Sequence, residues 1–115
     1  MKNILFYRDF RVLTGGHLKV FDYYKHIKES DFYEPKIYLT ASSLRDEVNP
    51  WIASGDKVLQ EWNPNEADAL FLGGLDWLVV PKDCEKPVIN LVQGIRHALP
   101  KDPRYAFLRR RATRI

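Results

Sequence analysis

The sequence predicts an α/β fold: a Rossmann-like parallel sheet with helices on both faces. Short segments that are apolar throughout recur along the chain with helical segments between them, which is typical of strands buried on both faces. Glycine follows three of these apolar segments, where each strand gives way to a loop. The 115 residues, 45% of them hydrophobic, suffice for one domain with a packed core.

The amino-terminal segment has the clearest pattern. Residues 3–7 form an apolar run of strand-favouring types, and a polar loop leads from it to Gly15 and Gly16. From His17 a helical pattern begins, with apolar residues at positions 20, 21, 24 and 27. We therefore expect a strand, a glycine turn and a helix N-terminus, whose unpaired N–H groups and partial positive charge suit an anion such as a phosphate.

The next elements are shorter. Residues 36–40 predict a second strand, and Ser43 followed by Asp46 resembles a capping box that starts a short helix limited by Pro50. Residues 58–59 predict a brief edge strand, and residues 63–67 predict a turn.

The carboxyl-terminal half repeats the pattern of strand and glycine. Residues 69–72 predict a buried strand that stops at two glycines, before a turn or short helix with the sequence LDWL. Residues 88–92 predict another buried strand, and residues 103–115 resume helical spacing. In parallel sheets, ligands collect at the carboxyl ends of the strands. We expect residues 14–17, 73–77 and 93–97 to converge there.

Composition and missing motifs exclude several classes of protein. No apolar run approaches the ~20 residues of a membrane span, and the amino terminus does not resemble a signal peptide. The single Cys84 cannot form an internal disulfide, so we expect a reducing, cytoplasmic location. The absence of a phosphate loop and of GxGxxG disfavours nucleotide-hydrolysing switches and nicotinamide-dependent dehydrogenases.

The net charge of +3 comes from the last segment of the chain. Residues 104–115 hold five arginines and no acid, so the remainder carries a small negative charge. Such a tail suits contact with nucleic acid or an acidic lipid surface, or forms the solvated face of one helix. The sequence favours the solvated face.

Four segments in order resemble one family. NILFYRDF…TGGHLKVFDYYKHI, ADALFLGGLDWL, PVINLVQGIRHA and FLRRRATRI resemble successive parts of the amino-terminal domain of GT-B glycosyltransferases of the retaining group 1 type. The resemblance implies that Gly15 and Gly16 bind the phosphate or sugar of the donor. It also implies that the acceptor contacts His17, Asp76, Gly94, Arg96 and His97, with Trp77 as a sugar platform beside Asp76. It identifies no catalytic residue.

The resemblance also implies a function and its partners. A sugar moves from a nucleotide-sugar donor to a hydroxyl of a sugar or lipid-linked acceptor, without an essential metal or other cofactor. Because a second, carboxyl-terminal GT-B domain holds most of the donor, this chain resembles an incomplete amino-terminal domain that is inactive alone. This interpretation allows a peripheral membrane contact and self-association through an open sheet edge, and it implies no specific nucleic acid.

Two other classes remain open. A stand-alone flavodoxin-like binding or regulatory module fits the fold, although Asp9 lacks the paired acid that phosphoacceptor sites use. A nucleic-acid-associated protein fits the arginine-rich tail, and its binding would weaken steeply with salt.

Overall fold

The computed structural model describes residues 1–81, 83–91 and 112–115. These residues form a six-stranded, parallel sheet with the strand order β3-β2-β1-β4-β5-β6. The strands are β1 (Asn3–Arg8), β2 (Glu34–Leu39), β3 (Val58–Leu59), β4 (Ala69–Gly73), β5 (Val88–Leu91) and β6 (Thr113–Arg114). The helices are α1 (Gly15–Ser30), α2 (Pro50–Ala53) and the 3₁₀ helices Pro64–Glu66 and Gly74–Val79. The predicted Rossmann-like α/β fold is confirmed.

The strand order shows where the chain finishes one half of the sheet and returns to begin the other half. It starts at β1, continues outward through β2 and β3, and then returns to the other side of β1 to form β4. Phe6 of β1 is consequently paired with Ile37 of β2 and with Phe71 of β4. The boundary between β1 and β4 is a topological switch point, and ligands of open parallel sheets bind outside its carboxyl end.

The first face of the sheet packs against α1 and α2. The ring of Phe6 stacks on Phe71, with 4.5 Å between centroids, and meets the edge of Tyr24 from α1 at 5.1 Å. Trp51 of α2 is fully buried and makes an edge contact with Phe21 of α1. Because α1 presents Val20 and Tyr24 to this core, the apolar spacing predicted for its buried face is confirmed.

The second face is covered in a different way. Its core contains Leu5, Leu70 and Leu72, and Trp77 from the 3₁₀ helix Gly74–Val79 packs against them. The indole N–H of Trp62 donates to the carbonyl of Val79 at 3.0 Å. Within the described residues, 3₁₀ turns and irregular segments cover this face rather than α-helices. None of the described helices is both long and apolar enough to span a bilayer.

The helix α1 begins two residues earlier than the sequence pattern predicts. Thr14 is the N-cap, and its hydroxyl accepts a hydrogen bond from the N–H of His17 at 3.3 Å. Gly15 and Gly16 are therefore the first helical residues and not a turn before the helix. The pattern gave the later start because glycine contributes nothing to an apolar face.

The capping box predicted at Ser43 is wrong. The Ser43 hydroxyl instead accepts from the N–H of Phe10 at 2.9 Å and lies 2.9 Å from the hydroxyl of Thr40. The helix α2 begins only at Pro50, with Asn49 as its cap. Proline therefore starts this helix rather than limiting an earlier one, because the missing N–H costs nothing in the first turn.

The helix predicted over residues 103–115 does not reach the end of that range. Thr113 and Arg114 form β6, which pairs with β5 through Ile89 and Asn90. Residues 113–114 are therefore a strand and not part of the predicted helix. The rest of the predicted helix lies outside the described residues.

Candidate functional site

Four elements meet at the switch point. The carboxyl end of β1 contributes Arg8, the N-cap and first turn of α1 contribute residues 14–17, β4 contributes its last residue Gly73, and the 3₁₀ helix Gly74–Val79 contributes Asp76. We call this set of residues the switch-point crevice. It contains two of the three loops that the sequence analysis expected to converge, and residues 93–97 lie outside the described residues.

The switch-point crevice contains a buried ion pair between Arg8 and Asp76. Arg8 is 8% exposed and Asp76 is 7% exposed. The Nη2 atom of Arg8 lies 3.5 Å from Oδ2 of Asp76, and that oxygen also accepts from the N–H of Gly73 at 2.9 Å. The distance of 3.5 Å is long for a charge-assisted hydrogen bond, so Asp76 satisfies the guanidinium of Arg8 only in part.

The position of Asp76 changes its affinity for a proton. Burial raises the pKa of its carboxyl to about 6, although the Arg8 guanidinium and the Gly73 N–H both lower it. The negative charge of Asp9 adds to the rise. Asp76 therefore exchanges its proton about two pH units closer to neutrality than an exposed carboxyl does.

Arg8 brings a cation to an unusual place. Ile4, Phe6 and Arg8 alternate along β1, and Ile4 and Phe6 belong to the core beneath α1, so Arg8 leaves the sheet on the same face. The Nε atom of Arg8 is buried and has no hydrogen-bond partner among the described residues. A buried N–H without a partner is costly, so a ligand that accepts from it would be stabilising.

His17 lies beside this cation in the first turn of α1. Its ring packs on Phe10 with 4.5 Å between centroids, and its Nδ1 atom is buried without a hydrogen-bond partner in the described part of the chain. Burial and, to a smaller extent, the charge of Arg8 lower the pKa of His17 to about 4, while Asp9 acts in the opposite direction. At neutral pH the imidazole is therefore uncharged and serves as a hydrogen-bonding group.

Gly15 leaves the approach to this first turn open. A Cβ built on Gly15 would meet no atom within 4 Å, and among the described glycines only Gly55 has a positive φ. Neither packing nor backbone conformation therefore requires glycine at position 15. A ligand that comes close to the backbone at the helix N-terminus would explain why a residue without a side chain is present there.

Asp9 lies at the outer rim of the switch-point crevice. Its carboxylate accepts from the Thr40 hydroxyl at 2.7 Å and from Nε of Arg11 at 3.0 Å. Burial acts to raise the pKa of Asp9, but these two hydrogen bonds and the Arg11 charge hold it below its ordinary value. Asp9 therefore remains an anion at the pH values where Asp76 exchanges its proton.

Of the predicted site residues, His17 and Asp76 both lie close enough to Arg8 for its charge to act on their pKa values, and Gly15 and Gly16 precede His17 in the first turn of α1. The other three, Gly94, Arg96 and His97, lie outside the described residues. Trp77 is 2% exposed within the second core, so its ring is not open to a sugar.

The sequence analysis missed Arg8 as a member of the site. The signal was present, because an arginine that ends the run NILFYR falls on the buried face by alternation. A cation in that position needs a partner or a ligand.

A separate cavity of about 170 Å³ opens at the ends of β2 and β3. It is lined by Tyr38, Leu59 and Arg45, whose Nη2 donates to the carbonyls of Leu39 and Thr40. The guanidinium of Arg45 is thus occupied by the backbone, and this cavity lacks the converging charges of the switch-point crevice.

The switch-point crevice combines a helix N-terminus, a buried guanidinium, an uncharged imidazole and a carboxyl that exchanges its proton near pH 6. These groups suit an oxyanion, because the helix dipole and the guanidinium both favour negative charge. Among the described residues, no three His, Cys, Asp or Glu side chains are grouped to hold a metal ion. Comparison of the chain with protein-family models, curated proteins and solved structures gives no match.

Proposed function

We propose that the chain is the amino-terminal, acceptor-side domain of a GT-B glycosyltransferase, which moves a sugar from a nucleotide-sugar to a hydroxyl of a sugar or lipid-linked acceptor. One observation carries the proposal. The first turn of α1 lies at the switch point of a Rossmann-like sheet, beside the buried cation of Arg8, and is open at Gly15. The four sequence segments that resemble this family support it further.

The chemistry of sugar transfer fits the charges of the switch-point crevice. The leaving diphosphate gains negative charge as the bond to the sugar breaks, and preorganised positive groups stabilise such a charge. The positive end of the α1 dipole and the guanidinium of Arg8 supply them here. The uncharged His17 supplies a hydrogen-bonding nitrogen for an acceptor hydroxyl, since its Nδ1 has no partner within the described residues.

A second domain would complete the cleft. Apolar side chains are exposed on the loop before α1, on its first turn and on the 3₁₀ helix after β4, namely Val12, Leu13, Leu18 and Leu78. Apolar surface of this kind around a crevice marks a place where another surface packs. In this proposal the other domain binds most of the donor, and the chain alone has no transferase activity. The proposal places the domain in the cytoplasm, where the lone thiol of Cys84 stays reduced.

The experiment that tests the proposal is a titration of the isotope-labelled chain with UDP-glucose, GDP-mannose and simple sugars, observed by the NMR shifts of backbone amides. We expect weak, millimolar binding with shifts concentrated at residues 14–17 and 73–77. Gly15→Val should abolish those shifts, because its side chain fills the space in front of the helix N-terminus. Glu29→Val, an exposed substitution near the other end of α1, should leave them unchanged.

Two results would count against this function. Tight binding of a nucleotide-sugar by the chain alone would contradict the division of labour between two domains. Shifts that cluster at the cavity of Arg45 and Tyr38, and not at the switch-point crevice, would show that the ligand binds elsewhere.

A further inference from the structure

We propose that the Arg8 guanidinium is a ligand for a tetrahedral oxyanion at the N-terminus of α1, and that Asp76 is the internal counter-ion which that anion displaces by driving its carboxylate to take up a proton. The inference rests on the proposed function in one respect, namely that an anionic ligand enters the switch-point crevice. It goes further by assigning Arg8 to that ligand and by coupling binding to one proton.

The first argument is the incomplete pairing of Arg8. A guanidinium carries five N–H donors in a rigid fork that matches an oxyanion. In the described part of the chain, its Nε is buried without a partner and its Nη2 has Asp76 at 3.5 Å. An oxyanion would satisfy the unpaired donor, and its charge would replace the charge that Asp76 now supplies.

Second, Arg8 leaves the sheet on the face that α1 covers, near the first turn of that helix. Arg8 acts on the pKa of His17, the third residue of α1, so the guanidinium and the positive end of the helix act on the same space. Two like charges that share a partly dry space attract an anion more strongly than either does alone. A 16-residue helix supplies the full dipole at that end.

The third argument concerns Asp76. Two negative charges around one buried guanidinium cannot both be neutralised by it, so an incoming dianion raises the proton affinity of the carboxylate. Asp76 is already close to that point, because burial raises its pKa to about 6 in the absence of a ligand. In the balanced step the free site holds COO⁻ and the occupied site holds COOH, and solvent supplies the proton.

The groups that face Asp76 leave it as the titrating group between about pH 5 and pH 8. From β1 it faces Arg8, which stays charged, and Tyr7, whose pKa is raised above 10 by burial and by the charge of Asp76. From the following loop it faces Asp9, whose pKa is held low. His17, which lies beside Arg8 at the start of α1, is uncharged above about pH 4.

The test uses sulfate, because this dianion does not titrate in the range of interest and leaves any pH dependence to the protein. We expect calorimetry at constant ionic strength to show that affinity falls at least about tenfold between about pH 5.5 and pH 7.5. Repeating the measurement in two buffers of different ionisation enthalpy should reveal uptake of about one proton at neutral pH.

Substitutions identify the groups. Asp76→Asn should remove both the pH dependence and the proton uptake, and should bind sulfate at neutral pH as tightly as the unmodified chain binds it in acid. Asp22→Asn on the exposed face of α1 changes the net charge by the same amount and should behave like the unmodified chain. Arg8→Gln should abolish binding.

A measurement on the unmodified chain guards against variants that fail to fold. The carboxyl carbon of Asp76, followed by NMR, should titrate at a higher pH with saturating sulfate than without it. An unchanged Asp76 titration, or an absence of sulfate binding, would overturn the inference. UDP distinguishes the source of the oxyanion: sulfate binding without UDP binding sustains the inference and removes the support for the glycosyltransferase proposal.

Discussion

Arg8 and Asp76 form an ion pair at the carboxyl ends of β1 and β4, the neighbouring strands on the two sides of the topological switch point. Their Nη2 and Oδ2 atoms are 3.5 Å apart, and the same oxygen accepts a hydrogen bond from the N–H of Gly73. Arg8 ends β1, and Asp76 lies in the 3₁₀ helix that directly follows β4, so the order of the strands places the two residues side by side. A buried pair of this kind contributes little net stability, but removing one partner leaves an uncompensated charge.

The raised pKa of Asp76 makes the stability of the fold depend on pH. That pKa is about 6 in the folded chain and 3.8 in an unperturbed aspartate, so between these values the folded state holds the additional proton. The contribution of Asp76 to the free energy of unfolding therefore decreases as pH rises from about 4 to about 6. Relative to the unmodified chain, Asp76→Asn should gain on the order of 2 kcal/mol across that window, measured by urea unfolding.

The control for this prediction is Asp22→Asn, whose carboxyl is exposed on α1. Its difference from the unmodified chain should stay constant over the same pH range. If Asp76→Asn also showed a constant difference, the carboxyl of Asp76 would be titrating at an ordinary value.

The lowered pKa of His17 makes the free energy of unfolding change with pH in the opposite direction. Burial and Arg8 lower its pKa from 6.5 to about 4, so between these values the unfolded chain holds the additional proton. Its contribution to the free energy of unfolding therefore rises with pH until about 6.5 and is constant above it. His17→Gln should be most stable relative to the unmodified chain near pH 4 and should lose that advantage towards neutrality.

The same chain offers a control for the histidine. His26 is exposed on α1, so His26→Gln measures the effect of the same substitution on urea unfolding away from the switch-point crevice. A direct measurement of the His17 ring by NMR should find it uncharged at pH 6, and a charged ring at that pH would contradict the prediction.

Ser43 predicts a local loss of stability. Its buried hydroxyl accepts from the Phe10 N–H at 2.9 Å and contacts the Thr40 hydroxyl at 2.9 Å, which joins the ends of β1 and β2. Ser43→Ala leaves a buried N–H without its partner, so we expect a loss of about 1–3 kcal/mol in the free energy of unfolding. Ser42→Ala, one residue earlier and exposed, should cost less than about 0.5 kcal/mol. Equal losses for the two variants would refute the role assigned to the hydroxyl.

Ser43 also shows where sequence reasoning reached its limit. Strands β1 to β5 were predicted because each contains an apolar run bounded by polar or glycine residues, and such a pattern depends only on neighbours along the chain, whereas β6 was predicted as part of a helix. Serine followed by an acid three residues later is a local pattern too, but the partner of Ser43 is Phe10, which lies 33 positions away. A hydroxyl satisfied by a distant N–H cannot be distinguished from a helix cap before the fold is known.

The candidate site divides in the same way. A helix N-terminus after the two glycines was predicted, since their position after a strand is visible in the sequence, although the helix in fact starts at Gly15. The pairing of Arg8 with Asp76 was not, because it depends on β4 lying beside β1 and not beside β3. Only the order of strands brings those two residues together.

Gly15 predicts a separation of stability from binding. A Cβ at this position meets no atom within 4 Å, and alanine is the better helix former, so Gly15→Ala should leave the free energy of unfolding unchanged or raise it by up to about 0.5 kcal/mol. Gly55 is the matched control, because its φ of +72° strains any other side chain, and Gly55→Ala should cost about 1–2 kcal/mol.

Urea unfolding of the two variants, followed by sulfate titration of each, gives the comparison. Gly15→Ala should weaken sulfate binding while it keeps full stability, because the added methyl group narrows the approach to the N-terminus of α1. Gly55→Ala should lose stability while it keeps sulfate affinity, since Gly55 follows α2 and is not part of the switch-point crevice. A Gly15→Ala chain that unfolds as easily as Gly55→Ala would mean that the fold itself, and not a ligand, requires glycine at position 15.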